Sequence, residues 1–236
     1  MRRSRPNKKI KNKGKIMENI NNKNEIILTE DKIQAVFYGA TTENVQEFYR
    51  VFNKYAYAFR ITEEVHVNFF LAQLLEEVGP SLVPVRENLN YSCDALKKIF
   101  KYYRSNTKAA NADGRCSDHK ADQYKIANNV YNGRLGNVKS DDGSKFRGGG
   151  YIQITGRSNY EQATSRIVKR TGKKIKVHEV LERIEDVDVA LLTAMAFWDL
   201  NKIYKCPDID CVTSKVSKYT KSYAKRKNHY KKIAKL

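Results

Sequence analysis

The sequence predicts a mainly α-helical fold broken by one Gly-rich, turn-rich segment. Apolar residues recur at helical spacing along most of the chain from position 29 onward. Thr, Asp or Ser stands where several of those periodic runs begin, as helix N-caps require. Between Tyr131 and Tyr160, by contrast, glycines 133, 136, 143, 148, 149, 150 and 156 crowd a stretch with little periodicity.

The elements follow in order. Residues 1–28 are rich in Lys, Asn and Arg with almost nothing to bury, and are expected to be a disordered basic tail. Thr29, with Asp31 in the first turn, caps a helix carrying Ile33, Val36 and Phe37. Thr42 starts another through Val45, Phe48, Tyr49 and Phe52. A third, over about 63–78, lines up Val67, Phe70, Leu71, Leu74 and Val78 as a buried stripe and stops at Gly79-Pro80. After a loop at 79–90, Ser92 caps a helix through Leu96, Ile99 and Phe100, and another runs from about His119 to Tyr131. The Gly-rich segment, with a short hairpin, is where a cleft is expected, because glycine lets a ligand approach the backbone closely. Helices resume at 160–171, closed by Gly172, then at about 178–185 and 187–205. The last is expected as one helix over 212–235, with Val216, Tyr219, Tyr223, Tyr230 and Ile233 on one face and lysines elsewhere.

Composition bounds the function. At 236 residues the chain suits one catalytic domain, 29–211, with appendages. The net charge of +19 resides in those appendages. Residues 1–15 hold eight Lys/Arg and 212–236 hold nine, both without an acid, which leaves 28 basic and 26 acidic residues between them. Such tails can search for wall polymer, an anionic membrane or nucleic acid, and charge alone does not choose. No stretch reaches the roughly 18 apolar residues of a membrane span. No export signal follows the basic start, so a cytoplasmic protein released by another protein is expected, and Met17 is an alternative start. The four cysteines, Cys93, Cys116, Cys206 and Cys211, are too few and scattered for a disulfide framework, and are expected as free thiols.

Glu77 is the first candidate for chemistry. Seven residues make about two turns, so it lies over Phe70 on the buried stripe, at the negative end of the helix dipole. Both settings favour a protonated carboxyl, which a general acid needs near neutral pH. Glu87 follows ten residues later, ahead of the polar and aromatic run Asn88-Leu89-Asn90-Tyr91-Ser92. Two carboxylates across a cleft suit glycoside hydrolysis, with inversion when about 6.5–9.5 Å separates them. His66, His119, His178 and His229 show no metal or nucleophile spacing, and Arg134 and Arg147 are open to either substrate contact or ion pairing.

Five blocks in order carry a family resemblance: Phe70–Gly79, Glu87–Ser92, Ile126–Tyr131, Gly133–Asn137 and Phe146–Tyr160. Together they resemble glycoside hydrolase family 19, with weaker similarity through Ala196-Phe197-Trp198 to Val212-Thr213 and Arg226…Tyr230. The resemblance implies a two-lobed, lysozyme-like helical fold that inverts at the sugar without metal or cofactor. It implies Glu77 as general acid and Glu87 as general base. Thr155 falls where a hydroxyl holds the attacking water, and Gln153 and Asn159 fall at sugar-contacting positions with Tyr91 nearby. Arg226, flanked by Lys225 and Lys227, matches a basic residue that pairs with the acid. Three departures stand out. Glu76 replaces a His before the acid, where a second carboxylate would raise the first one's pKa further; Gly148-Gly149-Gly150 replaces Gly-Arg-Gly; and Ser217-Lys218-Tyr219 replaces Asn-Gly-Gly.

These features point to a monomeric enzyme acting on β-1,4-linked amino-sugar polymer, with peptidoglycan and a phage-type lytic role favoured by the absence of an export signal and the basic end. Chitinase is the alternative within the same chemistry. A non-catalytic binder of wall glycan or nucleic acid is the alternative of another class, although nucleic acid is not the expected partner.

Overall fold

Two apolar clusters, one large and one small, organise the helices of the computed structural model, which describes residues 28–236. The basic tail expected at 1–28 lies outside the described residues except for Leu28. That residue is buried in the large cluster and exchanges two hydrogen bonds with the Asn53 side chain.

The large cluster gathers α1 (Glu30–Val36), α2 (Thr42–Tyr55) and α3 (Glu64–Val78), and later α9 (Arg157–Thr171), α10 (Val177–Glu182), α11 (Val187–Leu200), α12 (Ile209–Ser217) and α13 (Tyr223–Ile233). The small one is built by α4 (Cys93–Ile99), α5 (Lys101–Ser105), α6 (Thr107–Asp113) and α7 (Gln123–Tyr131) around Leu89, Leu96, Tyr103 and Ile126. The fold is thus mainly helical and two-lobed, as expected of a lysozyme-like chain. The caps expected at Thr29 and Ser92 close their helices, each side chain accepting a backbone N–H three residues on, whereas the second helix is capped by Thr41 and not by Thr42, its first residue.

Between the lobes, α8 (Asp142–Lys145) and a two-residue ribbon occupy the Gly-rich segment. The local hairpin expected there is a single antiparallel bridge, in which Gly149 and Ile154 exchange two backbone hydrogen bonds, and the ribbon itself is long-range: β2 (Gly149–Gly150) pairs antiparallel with β1 (Val85–Arg86). Glycine is required at 149, because a Cβ there would sit 2.7 Å from the Tyr160 hydroxyl. Asp142 holds the segment together, accepting from the backbone of Val138 and Lys139 and pairing with Arg157.

Other expectations are corrected. The helix expected from His119 begins at Gln123, since the Asp122 side chain caps it and the preceding turn is tied back to Asp113. The helix expected to reach 205 stops at Leu200, where Lys202 turns into the left-handed region. Helices α5 and α6 were not anticipated. The single helix expected over 212–235 is two: Thr220 and Ser222 bond to each other, and the Thr220 hydroxyl accepts the Ser222 amide, which breaks the helical ladder. Tyr219, expected on the buried face, lies in that break and is 90% exposed. The cysteines are not free. Cys93 bonds Cys116, and Cys206 bonds Cys211. Spacing could not reveal this, because the loop of α4–α6 brings Cys93 and Cys116 together across 23 positions. No helix among the described residues is long and apolar enough to cross a membrane.

Candidate active site

Helix α3 is almost entirely buried from His66 to Leu74, and its last turn emerges beside α13 with Glu76 and Glu77 both half-buried. Phe69 packs at a tilt against Tyr230, 4.8 Å between ring centres, which fixes α13 alongside α3. That packing brings a buried guanidinium to the helix end. Arg226 Nη2 donates to Glu77 Oε1 at 2.6 Å and Nη1 donates to Gln73 Oε1 at 2.5 Å. Gln73 in turn donates to the Thr213 hydroxyl at 3.1 Å. Glu77 is therefore not set by its own apolar stripe alone: it forms the ion pair with Arg226 that the family resemblance implies, across 149 positions of the chain.

Arg226 is told apart from its neighbours by burial. Its side chain is 4% exposed, whereas Lys225 pairs with Glu76 and Lys227 with Asp210 on the surface. Glu76 is not the free like charge expected beside Glu77. Burial would raise its carboxyl, but Lys225 and His229 bind it and outweigh burial, holding it below the usual range.

Glu87 stands at the end of the ribbon, at the junction of the lobes. Its amide donates to Gly148 O at 2.8 Å, and its side chain takes two donors: the Tyr131 hydroxyl to Oε1 at 2.7 Å and the Gly148 amide to Oε2 at 3.2 Å. A Cβ on Gly148 would approach Gln153 Oε1 to 2.9 Å and Glu87 Oε2 to 3.4 Å, so glycine is what lets the carboxylate and Gln153 share this space. Gln153 holds a left-handed backbone (φ 51°), fixed by its amide on the carbonyls of Val85 and Gly150. Thr155 donates to Gln153 O, and Asn159 donates to Thr155 O.

Gln153, Thr155 and Asn159 line one cavity of about 360 Å³ with Phe197, Asn201 and Val216. A larger one, about 790 Å³, is lined by Arg86, Arg147, Arg157 and His178. Neither glutamate lines these two cavities. Tyr91 packs edge-on against Phe100 in the small lobe. Arg134 and Arg147 turn out to pin backbone, donating to the carbonyls of Val130 and to those of Glu87 and Ser144.

The structure thus assembles the expected residues into two groups: Glu77 with Arg226 on the large lobe, and Glu87, Gln153, Thr155 and Asn159 along the ribbon. Sequence reasoning missed Tyr131 and Gln73. A Tyr closing an amphipathic helix and a Gln inside an apolar run carry no chemical signal until tertiary contacts supply one. Cys116, Asp118 and His119 also lie close together, but Cys116 is in a disulfide and offers no thiolate.

Helical lobes meeting at a ribbon that carries one carboxylate, with a second carboxylate ending a core helix, define a protein of the lysozyme-like glycoside hydrolase class. No protein-family model matches the chain. A protein of Haemophilus influenzae described as a glycosyl hydrolase family 19 domain-containing protein is 33% identical over 150 residues, which cover 63% of this chain and 68% of that protein. The chain belongs to glycoside hydrolase family 19. Membership supports glycoside hydrolase activity on a glycan substrate.

Proposed function

We propose that the protein hydrolyses β-1,4 linkages between amino sugars of bacterial peptidoglycan, with inversion, as a lytic enzyme of the phage type. Glu77 donates a proton to the glycosidic oxygen, and Arg226 then faces the carboxylate that the donation leaves behind. Glu87 removes a proton from the attacking water while the Thr155 hydroxyl helps hold that water. Gln153, Asn159 and Tyr91 contact sugar. No metal or cofactor takes part in these steps.

The observation that carries this reading is the different company of the two carboxylates. Glu77 sits with a buried cation, and Glu87 accepts only neutral donors on its side chain. The cation stabilises the carboxylate that proton donation leaves at Glu77, and Glu87, held by neutral donors alone, can take up the proton of the attacking water. Peptidoglycan is preferred over chitin because Lys231 and Lys232 on α13, and Lys235 just after it, face solvent in a strongly basic region, which suits an anionic wall or membrane surface.

Digestion of purified peptidoglycan beside colloidal chitin, with reducing ends counted, separates the two substrates. Faster release from peptidoglycan is expected, and faster release from chitin would make the protein a chitinase. Release from neither would favour a non-catalytic binder, whose glycan binding would survive Glu77→Gln. Proton NMR of the first product should show the α-anomer, since inversion at a β linkage yields α.

A further inference from the structure

Tyr131 is the last residue of α7 and packs on the small-lobe cluster, while Glu87 belongs to the ribbon that joins the lobes. Its hydroxyl reaches the carboxylate at 2.7 Å, across 44 positions of sequence. The phenol is held in its protonated form: burial pushes its pKa up, and the hydrogen bond to Glu87 and the charge on that carboxylate push it further. Tyr131 is therefore a donor to Glu87 and not an acceptor from it.

The terminal torsion of a glutamate is broad, so an untethered carboxylate would present either oxygen to the cleft. Here the two oxygens are distinguished. Oε1 takes the shorter bond from the phenol, and Oε2 takes a longer one from the Gly148 amide at 3.2 Å. We propose that Tyr131 is a positioning residue, whose hydroxyl fixes Glu87 Oε1 so that Oε2 keeps a defined lone pair for the attacking water. This rests on the reading of Glu87 as the general base. The other ionisable groups facing the pair are Arg147, bonded to Glu87 O, Arg134 at the end of α7, and the phenols of Tyr91 and Tyr160. None of these donates to the Glu87 carboxylate. Removing the Tyr131 hydroxyl therefore leaves Gly148 as the carboxylate's one remaining donor among the described residues.

Steady-state kinetics of Tyr131→Phe in the full chain, on whichever polymer the wild type cleaves faster, test the proposal. The expected result is a kcat about 10- to 100-fold lower with KM within about twofold, the pattern for an interaction that matters in the transition state. The acid limb of the kcat–pH profile should move up by about one pH unit, because a carboxylate that loses a donor takes a proton more readily. A structural role alone would not move that limb. Replacing Tyr131 with 3-fluorotyrosine, which keeps the ring and sharpens the donor, should restore kcat and move the limb back to or below the wild-type position. This variant carries the test if Tyr131→Phe does not fold.

A wild-type kcat and unmoved limb for Tyr131→Phe, alongside an inactive Glu87→Gln, would overturn the positioning role and leave the base in place. An active Glu87→Gln would instead remove the base reading, and this inference with it.

Discussion

Arg226 and Glu77 meet at 2.6 Å although 149 positions separate them, and the same guanidinium holds Gln73 with its other arm. One buried cation thus ties the end of α3 to α13 and orients the carboxylate proposed as the acid. Arg226→Met leaves Glu77 without its charge partner and Gln73 Oε1 without its donor. Breaking a mostly buried pair costs about 3 kcal/mol, read as a lower urea midpoint at unchanged slope. Arg226→Lys keeps the charge but has a single ammonium where the fork spans two acceptors, so it should recover less than half of that loss.

Acid should unfold the protein in a defined window. Asp142 is fully buried, and its hydrogen bonds from Arg157, joined by those from Lys139 and Val138, bring its carboxyl down from 3.8 to about 2. A carboxyl depressed in the folded state adds stability that is fully present above its unfolded value and is lost as pH falls through the folded one. The loss therefore runs from about pH 4 to about pH 2, and Asp199, held low against its burial by Arg170 and Arg166, adds to it. Asp142→Asn should cost about 2 kcal/mol at neutral pH and flatten the stability slope within that window, as followed by circular dichroism during acid titration.

The disulfides make unequal contributions in a chain-entropy account. Cys93–Cys116 closes a loop of 23 positions and Cys206–Cys211 one of 5. Replacing the first pair by serine should cost about 3 kcal/mol and the second about 2 kcal/mol, measured by thermal unfolding with and without reductant. Equal Tm values in both conditions would contradict the pairing.

Gly148 should be intolerant of the smallest side chain. Gly148→Ala puts a methyl 2.9 Å from Gln153 Oε1 and 3.3 Å from Glu87 Cβ, so Gln153 must shift and the proposed base is crowded by a few tenths of an ångström. Activity should fall at least about tenfold while Tm changes by only a few degrees, because the crowding falls on functional side chains and not on the core.

What the sequence made legible was local. The stripe through Val67, Phe70, Leu71 and Leu74 and the caps at Thr29 and Ser92 each depend on residues within two turns of one another, and they form as expected. The candidate site residues, Arg226 among them, were picked out by family resemblance. Burial against α3 separates Arg226 from Lys225 and Lys227, its neighbours in sequence. What stayed hidden was long-range. The Tyr131 hydroxyl, the cysteine pairs and the partner strand of Gly149–Gly150 are set by how the lobes close, and no short-range pattern encodes them. The break at 218–222 was missed for another reason: Tyr219 preserves the helical period while Thr220 and Ser222 withdraw the local hydrogen bonds.

The most direct test is the turnover of Glu77→Gln on purified peptidoglycan relative to wild type, with folding verified by circular dichroism. The glutamine keeps the shape and can accept from Arg226, but it has no proton to give, so kcat should fall by about three orders of magnitude or more. A folded variant that releases reducing ends at the wild-type rate would contradict the assignment of Glu77 as the acid.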